Sequence, residues 1–214
     1  MEAKLQKKLS DGREYRTMHL EVREDPTAEN PDHRMTVEGY ATTFNQPYTL
    51  YEDRSYKLVE QVDPHAFDEC DMSDVIFQYD HIGRVFARTK NGTLKLDTDA
   101  TGLKIAADLS GTEMGHQLYD EIRGGYTDKM SFGFSVGEDR RVSTVDTETG
   151  KVTVERTITK FKKLYDVSAV SIPANDTTSI SARNLFDGVI EEIKAERLTR
   201  ANTATRIKIK LTGV

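Results

Sequence analysis

The segment 130–136, Met-Ser-Phe-Gly-Phe-Ser-Val, places serines among large apolar residues. Because side chains of a strand alternate between two faces, the bulky residues share one face and Ser131, Gly133 and Ser135 share the other. A face of small side chains leaves room for another chain to lie close. A hydroxyl presented there by a rigid strand suits a nucleophile. The same pattern also fits two serines that simply face solvent.

A second candidate for chemistry stands at the end of an apolar strand. The segment 75–81, Val-Ile-Phe-Gln-Tyr-Asp-His, ends in Asp80 and His81. An imidazole changes its charge near neutral pH, so a histidine at a strand end can serve as a general base. A structural or exposed histidine fits the pattern as well.

Asp166 is the third candidate, because it interrupts the apolar segment 164–170, Leu-Tyr-Asp-Val-Ser-Ala-Val. A carboxylate buried without partners is costly, so such a group is normally hydrogen-bonded or ion-paired. One interpretation is a salt bridge to an arginine or a lysine. The other is a carboxylate that accepts a hydrogen bond from an imidazole and fixes its tautomer.

The elements around these residues predict a mainly β (α+β) domain. Strands recur at short intervals, which favours an antiparallel barrel or sandwich over a parallel α/β sheet. We predict strands at 18–23, 35–43, 56–62, 75–80 and 165–172, and hairpins that pair 93–97 with 103–108 and 132–145 with 152–161. One helix is predicted at 112–123, with a capping box of Ser110 and Glu113, and a second at 184–198.

Composition limits the remaining possibilities. The 214 residues are 36% hydrophobic, enough for one sizeable core, and carry a net charge of -6, which gives no general attraction to nucleic acid. The one cysteine allows no internal disulfide, and we expect no metal and no cofactor, because zinc-ligand, Walker and dinucleotide motifs are missing. No apolar run is long enough for a membrane span. We predict a flexible arm at 1–14, one domain at 15–180, and a helix with a basic tail at 181–214.

Read together and in order, these segments resemble the prohead protease family of tailed phages. The resemblance covers about residues 18–180, and the histidine motif followed by Ser-Phe-Gly-Phe is its most specific part. The matching residues lie at 38–41 and 44, 62–67, 79–81, 88–89, 92–94, 102–103, 118–125, 130–134, 164–168 and 173–174.

The resemblance implies a fold similar to that of herpesvirus assemblin, a closed antiparallel β-barrel surrounded by helices. It implies that Ser131 is the nucleophile, His81 the general base and Asp166 the acid that orients the imidazole. The herpesvirus relatives use a second histidine in the late position, but this sequence has no histidine after His116. The family commonly has Asn-His-Asp where this chain has Asp-His-Ile at 80–82. Arg88 or a nearby backbone amide is a candidate for the oxyanion hole.

The family cuts scaffold or capsid-protein segments inside the immature shell, and its members tend to cleave themselves. The expected partners are therefore a capsid or scaffold protein as substrate, with no nucleic acid and no membrane. The expected location is the assembling prohead in the host cytoplasm, and the C-terminal helix is expected to pack on the barrel or to mediate self-association. The alternatives are a non-enzymatic capsid-assembly or scaffolding protein with the same fold, and a general cytoplasmic peptidase. The enzymatic hypothesis requires the hydroxyl of Ser131 to come within reach of the imidazole of His81.

Overall fold

A computed structural model describes residues 12–22 and 35–171 of the chain, together with Ala195. Within residues 12–22 and 35–171 the chain forms ten strands, one α-helix and a short 3-10 helix at Thr89–Asn91. The strands are β1 Glu14–Val22, β2 Thr36–Thr43, β3 Tyr48–Glu52, β4 Tyr56–Val62, β5 Ile76–Tyr79, β6 Ile82–Arg88, β7 Leu94–Thr98, β8 Gly102–Asp108, β9 Lys129–Val145 and β10 Val152–Val170, and the helix is α1, Glu113–Arg123. The mainly β prediction is therefore confirmed. Apart from Ala195, the predicted helix at 184–198 and the tail at 181–214 lie outside the described residues, as does most of the arm at 1–14.

The strands join in one sheet with the order β3-β4-β10-β9-β1-β2-β8-β7, while β5 pairs with β10 and β6 pairs with β5. Most neighbours are antiparallel, as predicted, but β10 runs parallel to both β4 and β5. The expected closed barrel is not formed by the described strands, because the sheet order ends at β3 and at β7 without a pairing between them. Among the described residues, isolated parallel bridges join Phe44 to Val62 of β4 and Asp71 to Lys163 of β10.

The long strand β10 explains why the sheet branches. Its first part, residues 152–158, pairs with β4, and its last part, residues 166–169, pairs with β5. Register shifts against β9 separate the two parts, between Ile158 and Asp166. Such irregularities bend a strand and increase its twist. One strand therefore changes partners along its length. The sequence pattern had predicted two separate strands here, at 152–161 and 165–172.

Two strands and one helix cap differ from the sequence prediction. Strands β3 and β6 were not predicted, and β6 begins directly after His81. The first four residues of β6 are all exposed, so they lack the alternation that marks a half-buried strand. Helix α1 lies where predicted, but its N-cap is Thr112, whose Oγ1 accepts a hydrogen bond from the Gly115 amide at 3.0 Å. The hydroxyl of Ser110 instead donates to Asp108 at 2.6 Å.

Helix α1 spans 11 residues, and no helix in the described part of the chain is long and apolar enough to cross a membrane.

Aromatic side chains on one face of the sheet form the centre of the core. Phe132 and Phe134 of β9 stack with ring centroids 4.8 Å apart, and Phe134 meets Phe161 edge to face at 4.9 Å. All three side chains are buried. Burying one such side chain contributes about 1.5–3 kcal/mol, so this cluster holds β9 firmly against the core. The opposite face of β9 is consequently presented by a rigid strand.

A buried ionic network attaches β1 to the rest of the sheet. Glu60 of β4 is fully buried and accepts hydrogen bonds from Arg16 at 2.6 and 2.8 Å, from Arg156 at 2.8 Å and from the Tyr48 hydroxyl at 2.6 Å. Burial alone would raise the pKa of Glu14, but the hydrogen bond from Arg156 and the charges of both arginines outweigh it and lower this pKa to about 2. Because Arg16 points into this network, its neighbours Tyr15 and Thr17 point to the other face.

Candidate active site

Two rows of side chains cross the sheet on the face of β9 opposite the aromatic core. Residues directly opposite each other on paired strands share a face, as do residues two apart along one strand. The register of β1, β9 and β10 gives a first row of Tyr15, Gly133 and Asp166, and a second row of Thr17, Ser131 and Ser168. The three strands therefore bring Ser131 and Asp166 onto one surface, in adjacent rows.

Ser131 and Gly133 alternate with the core phenylalanines, as the sequence pattern predicted, but they do not face solvent. Ser131 is 0% exposed, and Gly133 is buried as well. No further chain can pair with this part of β9, because β1 and β10 occupy both of its edges. A substrate strand therefore cannot add main-chain pairing to this part of β9 while β1 and β10 stay in place. The room above Gly133 holds side chains of the chain itself.

Asp166 and Tyr15 close over Gly133 from its two sides. A Cβ atom added to Gly133 would lie 2.5 Å from Asp166 Oδ1 and 2.8 Å from Tyr15 Cε1. Both distances are shorter than van der Waals contact. Only glycine leaves space here for the carboxylate and the tyrosine ring.

His81 lies in a tight turn that projects it toward this surface. Tyr79 pairs with Ile82, so the hairpin of β5 and β6 has a two-residue loop of Asp80 and His81, with φ angles of 50° and 56°. Positive φ at both loop residues is the signature of a type I′ turn, which favours Asn-Gly or Asp-Gly. Asp80 suits its position, but a histidine at positive φ costs about 1–2 kcal/mol of strain. Strain of this kind is concentrated at functional sites.

Hydrogen bonds to the end of β10 fasten the turn. The Asp80 amide donates to the Ala169 carbonyl at 2.9 Å. The Asp80 carboxylate accepts from the Ser171 amide at 2.9 Å and from the Ser171 hydroxyl at 2.9 and 3.1 Å. The strand that carries Asp166 therefore also fixes the turn that carries His81.

Replacing Asp80 with valine should loosen this turn. A β-branched residue is disfavoured at positive φ, and the contacts to Ser171 are lost, so we expect Asp80→Val to destabilise the protein by about 1–3 kcal/mol and to slow any reaction at His81. Thermal unfolding would measure the first effect, and the rate of labelling by a serine-directed probe the second. Asp80→Asn is the matched control, because it keeps a side-chain acceptor and tolerates positive φ. A valine variant as stable and reactive as Asp80→Asn would contradict this account.

The imidazole of His81 is held on two sides. Its Nδ1 contacts Asp166 Oδ2 in a short hydrogen bond. Its ring meets the Tyr15 ring edge-on, with the centroids 4.5 Å apart and an interplanar angle of 67°. Because Asp166 accepts from Nδ1, this bond favours the tautomer in which Nε2 is the basic nitrogen. The sequence left Asp166 as either the partner of an arginine or lysine or the acceptor of an imidazole hydrogen bond. The structure shows the contact with the imidazole.

These contacts place His81 beside the row that holds Ser131. The His81 ring contacts both Asp166 and Tyr15. Because these two residues lie on either side of Gly133, the ring lies over the row that contains this glycine. Ser131 is two residues from Gly133 on the same face, a separation of about 7 Å along the strand. Of the three residues singled out in the sequence, His81 and Asp166 are therefore in contact, and Ser131 lies on the same surface one row away.

The hydroxyls of Ser131 and of Ser168, which lies directly opposite on β10, differ in their hydrogen bonding. Within the described part of the chain, Ser131 Oγ is buried and has no hydrogen-bond partner. The hydroxyl of Ser168, also 0% exposed, donates to Asp166 Oδ2 at 3.0 Å. A buried polar atom without a partner is uncommon and often has a functional explanation. The structure thus distinguishes the two serines, of which only Ser131 keeps its hydroxyl uncommitted.

Two other reactive side chains have different surroundings. Burial raises the pKa of the Cys70 thiol to about 11, so it is protonated at neutral pH and a poor nucleophile. Arg88 is engaged by Asp74 through two hydrogen bonds of 2.6 Å, which makes it a weak candidate for an oxyanion hole. Within residues 12–22 and 35–171, we find no group of three or more His, Cys, Asp or Glu side chains that could hold a metal ion.

Sequence reasoning missed three residues that shape this site. Ser168 could have been found, because it lies two positions after Asp166 in a strand and must share its face. Gly133 was placed on the correct face, but its role as the floor beneath two side chains depends on the register of three strands. Tyr15 gave no signal, since nothing near the N-terminus indicates pairing with β9.

A serine, a histidine and an aspartate on one surface are the residue types of a serine hydrolase site. The chain belongs to the caudovirus prohead serine protease family, whose model matches residues 19–191. It is thus a serine protease of phage capsid maturation, as the resemblance predicted.

Comparison with solved structures finds the capsid assembly protease gp21 of bacteriophage T4. That structure is 14% identical, with a TM-score of 0.41 over 75% of this chain and 98% of the other. No curated protein sequence matches the chain.

Proposed function

We propose that the chain cuts segments of capsid or scaffold protein inside the immature shell, with Ser131 as nucleophile, His81 as general base and Asp166 as the orienting acid. The observation that carries the assignment is the shared surface of β1, β9 and β10. There a buried, uncommitted hydroxyl stands one row from an imidazole bound to a carboxylate. Family membership supplies the reaction class, and the geometry supports the residues.

In the proposed reaction, His81 Nε2 takes the proton of Ser131 as Oγ attacks the peptide carbonyl. The new Oγ–C bond gives a tetrahedral intermediate, which collapses as the C–N bond breaks and the imidazolium gives its proton to the leaving amine. Water then attacks the acyl-enzyme, gives a proton to His81, and releases the carboxylic acid while Ser131 regains its proton. Asp166 holds the ring through Nδ1 and stabilises its positive form. The net reaction consumes one water molecule and regenerates the enzyme.

The burial of Ser131 constrains how a substrate enters. A side chain that is 0% exposed cannot meet a peptide without local opening of the surface above it. Since β9 has no free edge at this point, the peptide must approach from the face that His81 and Tyr15 cover, not as a neighbour in the sheet. An extended, unfolded segment of a capsid or scaffold protein meets this requirement better than a folded surface.

Several further properties follow from the family and belong to the same proposal. The protease acts inside the assembling prohead in the host cytoplasm, cleaves itself as well as its substrate, and needs neither nucleic acid nor a membrane. Self-association through the C-terminal segment is part of the proposal. A non-enzymatic scaffolding role fits the site less well, because it gives no reason for a histidine held at positive φ in contact with a buried carboxylate.

A fluorophosphonate probe tests the assignment on the wild-type protein. The probe phosphonylates an activated serine, so we expect one adduct on the folded chain, which peptide mass spectrometry would locate at Ser131. Heat-denatured protein is the control and should remain unlabelled, because activation depends on the fold. An adduct at another serine, or equal labelling of folded and denatured protein, would reject the proposed site.

A further inference from the structure

We propose that Ser168 is a positioning residue that fixes the Asp166 carboxylate for its work on His81. This inference rests on the proposed function, because it concerns the orientation of the proposed base. It adds a fourth member to the serine, histidine and aspartate already described.

The first argument is the hydrogen bond itself. The Ser168 hydroxyl donates to Asp166 Oδ2 at 3.0 Å, and the same oxygen accepts from His81 Nδ1. Two donors thus converge on one carboxylate oxygen. A carboxylate held by a second donor cannot rotate away from the imidazole without losing that bond, so Ser168 restricts the carboxylate to the orientation that the imidazole needs.

The second argument is burial. Ser168 is 0% exposed and Asp166 is 3% exposed, so water does not compete for this bond. Hydrogen bonds to charged groups are stronger than bonds between neutral groups, and losing one leaves a buried carboxylate less well satisfied. Ser168 therefore also stabilises the ionised form of Asp166, which an imidazolium requires as its partner.

The third argument is the position of Ser168 in the sheet. It lies directly across from Ser131, in the same row, and two residues after Asp166, which lies in the adjacent row. The same strand ends at Val170 and fixes the His81 turn through Ala169 and Ser171. Small movements at this point of β10 therefore reach the proposed nucleophile, acid and base together.

The test uses the full chain and a fluorophosphonate probe, with labelling rates measured over a range of probe concentrations. For Ser168→Ala we expect the maximal labelling rate to fall by about 10- to 100-fold, the effect of losing one hydrogen bond to a charged group. The half-saturating probe concentration should stay within about twofold, because Ser168 is not expected to contact the probe. The proton resonance of His81 Nδ1–H should shift, because its acceptor oxygen has lost a second donor.

Two further variants separate positioning from general damage. Ser168→Thr keeps a hydroxyl and should recover most of the rate; if its extra methyl prevents folding, Ser168→Cys, a weaker donor, should give an intermediate rate. Ser135→Ala is the matched control, since Ser135 lies on the same face of β9 and meets the Tyr165 hydroxyl only at 3.5 Å. It should label at nearly the wild-type rate.

The inference is overturned if Ser168→Ala labels like the wild type with an unshifted His81 resonance, or if Ser135→Ala loses as much rate. An unlabelled wild-type protein would instead reject the proposed function, whatever the variants do.

Discussion

Co-expression of the Ser131→Ala variant with the cognate capsid protein should yield shells in which that protein keeps its full length. Wild-type chain should shorten it in the same cells. Removal of the nucleophile from a serine protease usually costs roughly 10⁴-fold or more in rate, which exceeds any loss expected from a structural change of one oxygen atom. Gel electrophoresis and mass spectrometry of the purified shells would measure the outcome.

The Ser131→Ala variant should fold normally, and it can be compared with a control on the same strand. The substitution fills the same space without the hydroxyl, and Ser131 Oγ has no partner within the described residues, so folding should be unaffected. Ser135→Ala, on the same strand and face, should process the capsid protein like the wild type. Shortened capsid protein with Ser131→Ala would show that another group is the nucleophile.

Gly133→Ala should reduce labelling and capsid cleavage by at least roughly 100-fold, although it alters none of the proposed reacting groups. The new methyl would lie 2.5 Å from Asp166 Oδ1 and 2.8 Å from Tyr15 Cε1, so both side chains that hold the His81 ring must move. Displacement of a catalytic group by about 1 Å can cost about 100-fold in rate. Overpacking of this kind also destabilises a fold by about 1–3 kcal/mol, which thermal unfolding would measure.

Gly137→Ala is the matched control for this substitution. Gly137 lies four residues further along β9, and its added Cβ would lie 3.4 Å from both Lys160 Cγ and the Lys160 carbonyl oxygen, which is ordinary van der Waals contact. It should leave stability and labelling nearly unchanged. Equal losses in the two variants would mean that β9 tolerates no methyl group at all, and that Gly133 has no special relation to the histidine.

Local patterns predicted the parts of this structure that depend on neighbouring residues. Alternation along 130–136 correctly separated Ser131 from the aromatic core, and the interrupted apolar run singled out Asp166. The hairpin of β7 and β8, and helix α1, were also predicted close to their observed bounds. Each of these features is decided within a few residues by side-chain alternation or helical spacing.

The features that were missed depend on distant segments. The parallel pairing of β10 with β4 and β5 joins residues about 90 positions apart, and no local pattern encodes it. The tight turn at Asp80 and His81 lacks the glycine that usually marks such a hairpin, so the exposed strand β6 was not recognised. The closure of the barrel was expected from the resemblance, whereas the described sheet ends at β3 and β7 without a pairing between them.

The late place of β10 in the chain has a consequence for the timing of activity during synthesis. This strand supplies Asp166, secures the turn of His81, and lies beside Ser131, yet it is made after all the other described strands. A growing polypeptide that has not yet released residues 152–170 from the ribosome holds the hydroxyl and the imidazole but has nothing to align them. Under the proposed assignment, a chain that ends before β10 should therefore have no proteolytic activity, and the domain should become active only when its translation is nearly finished.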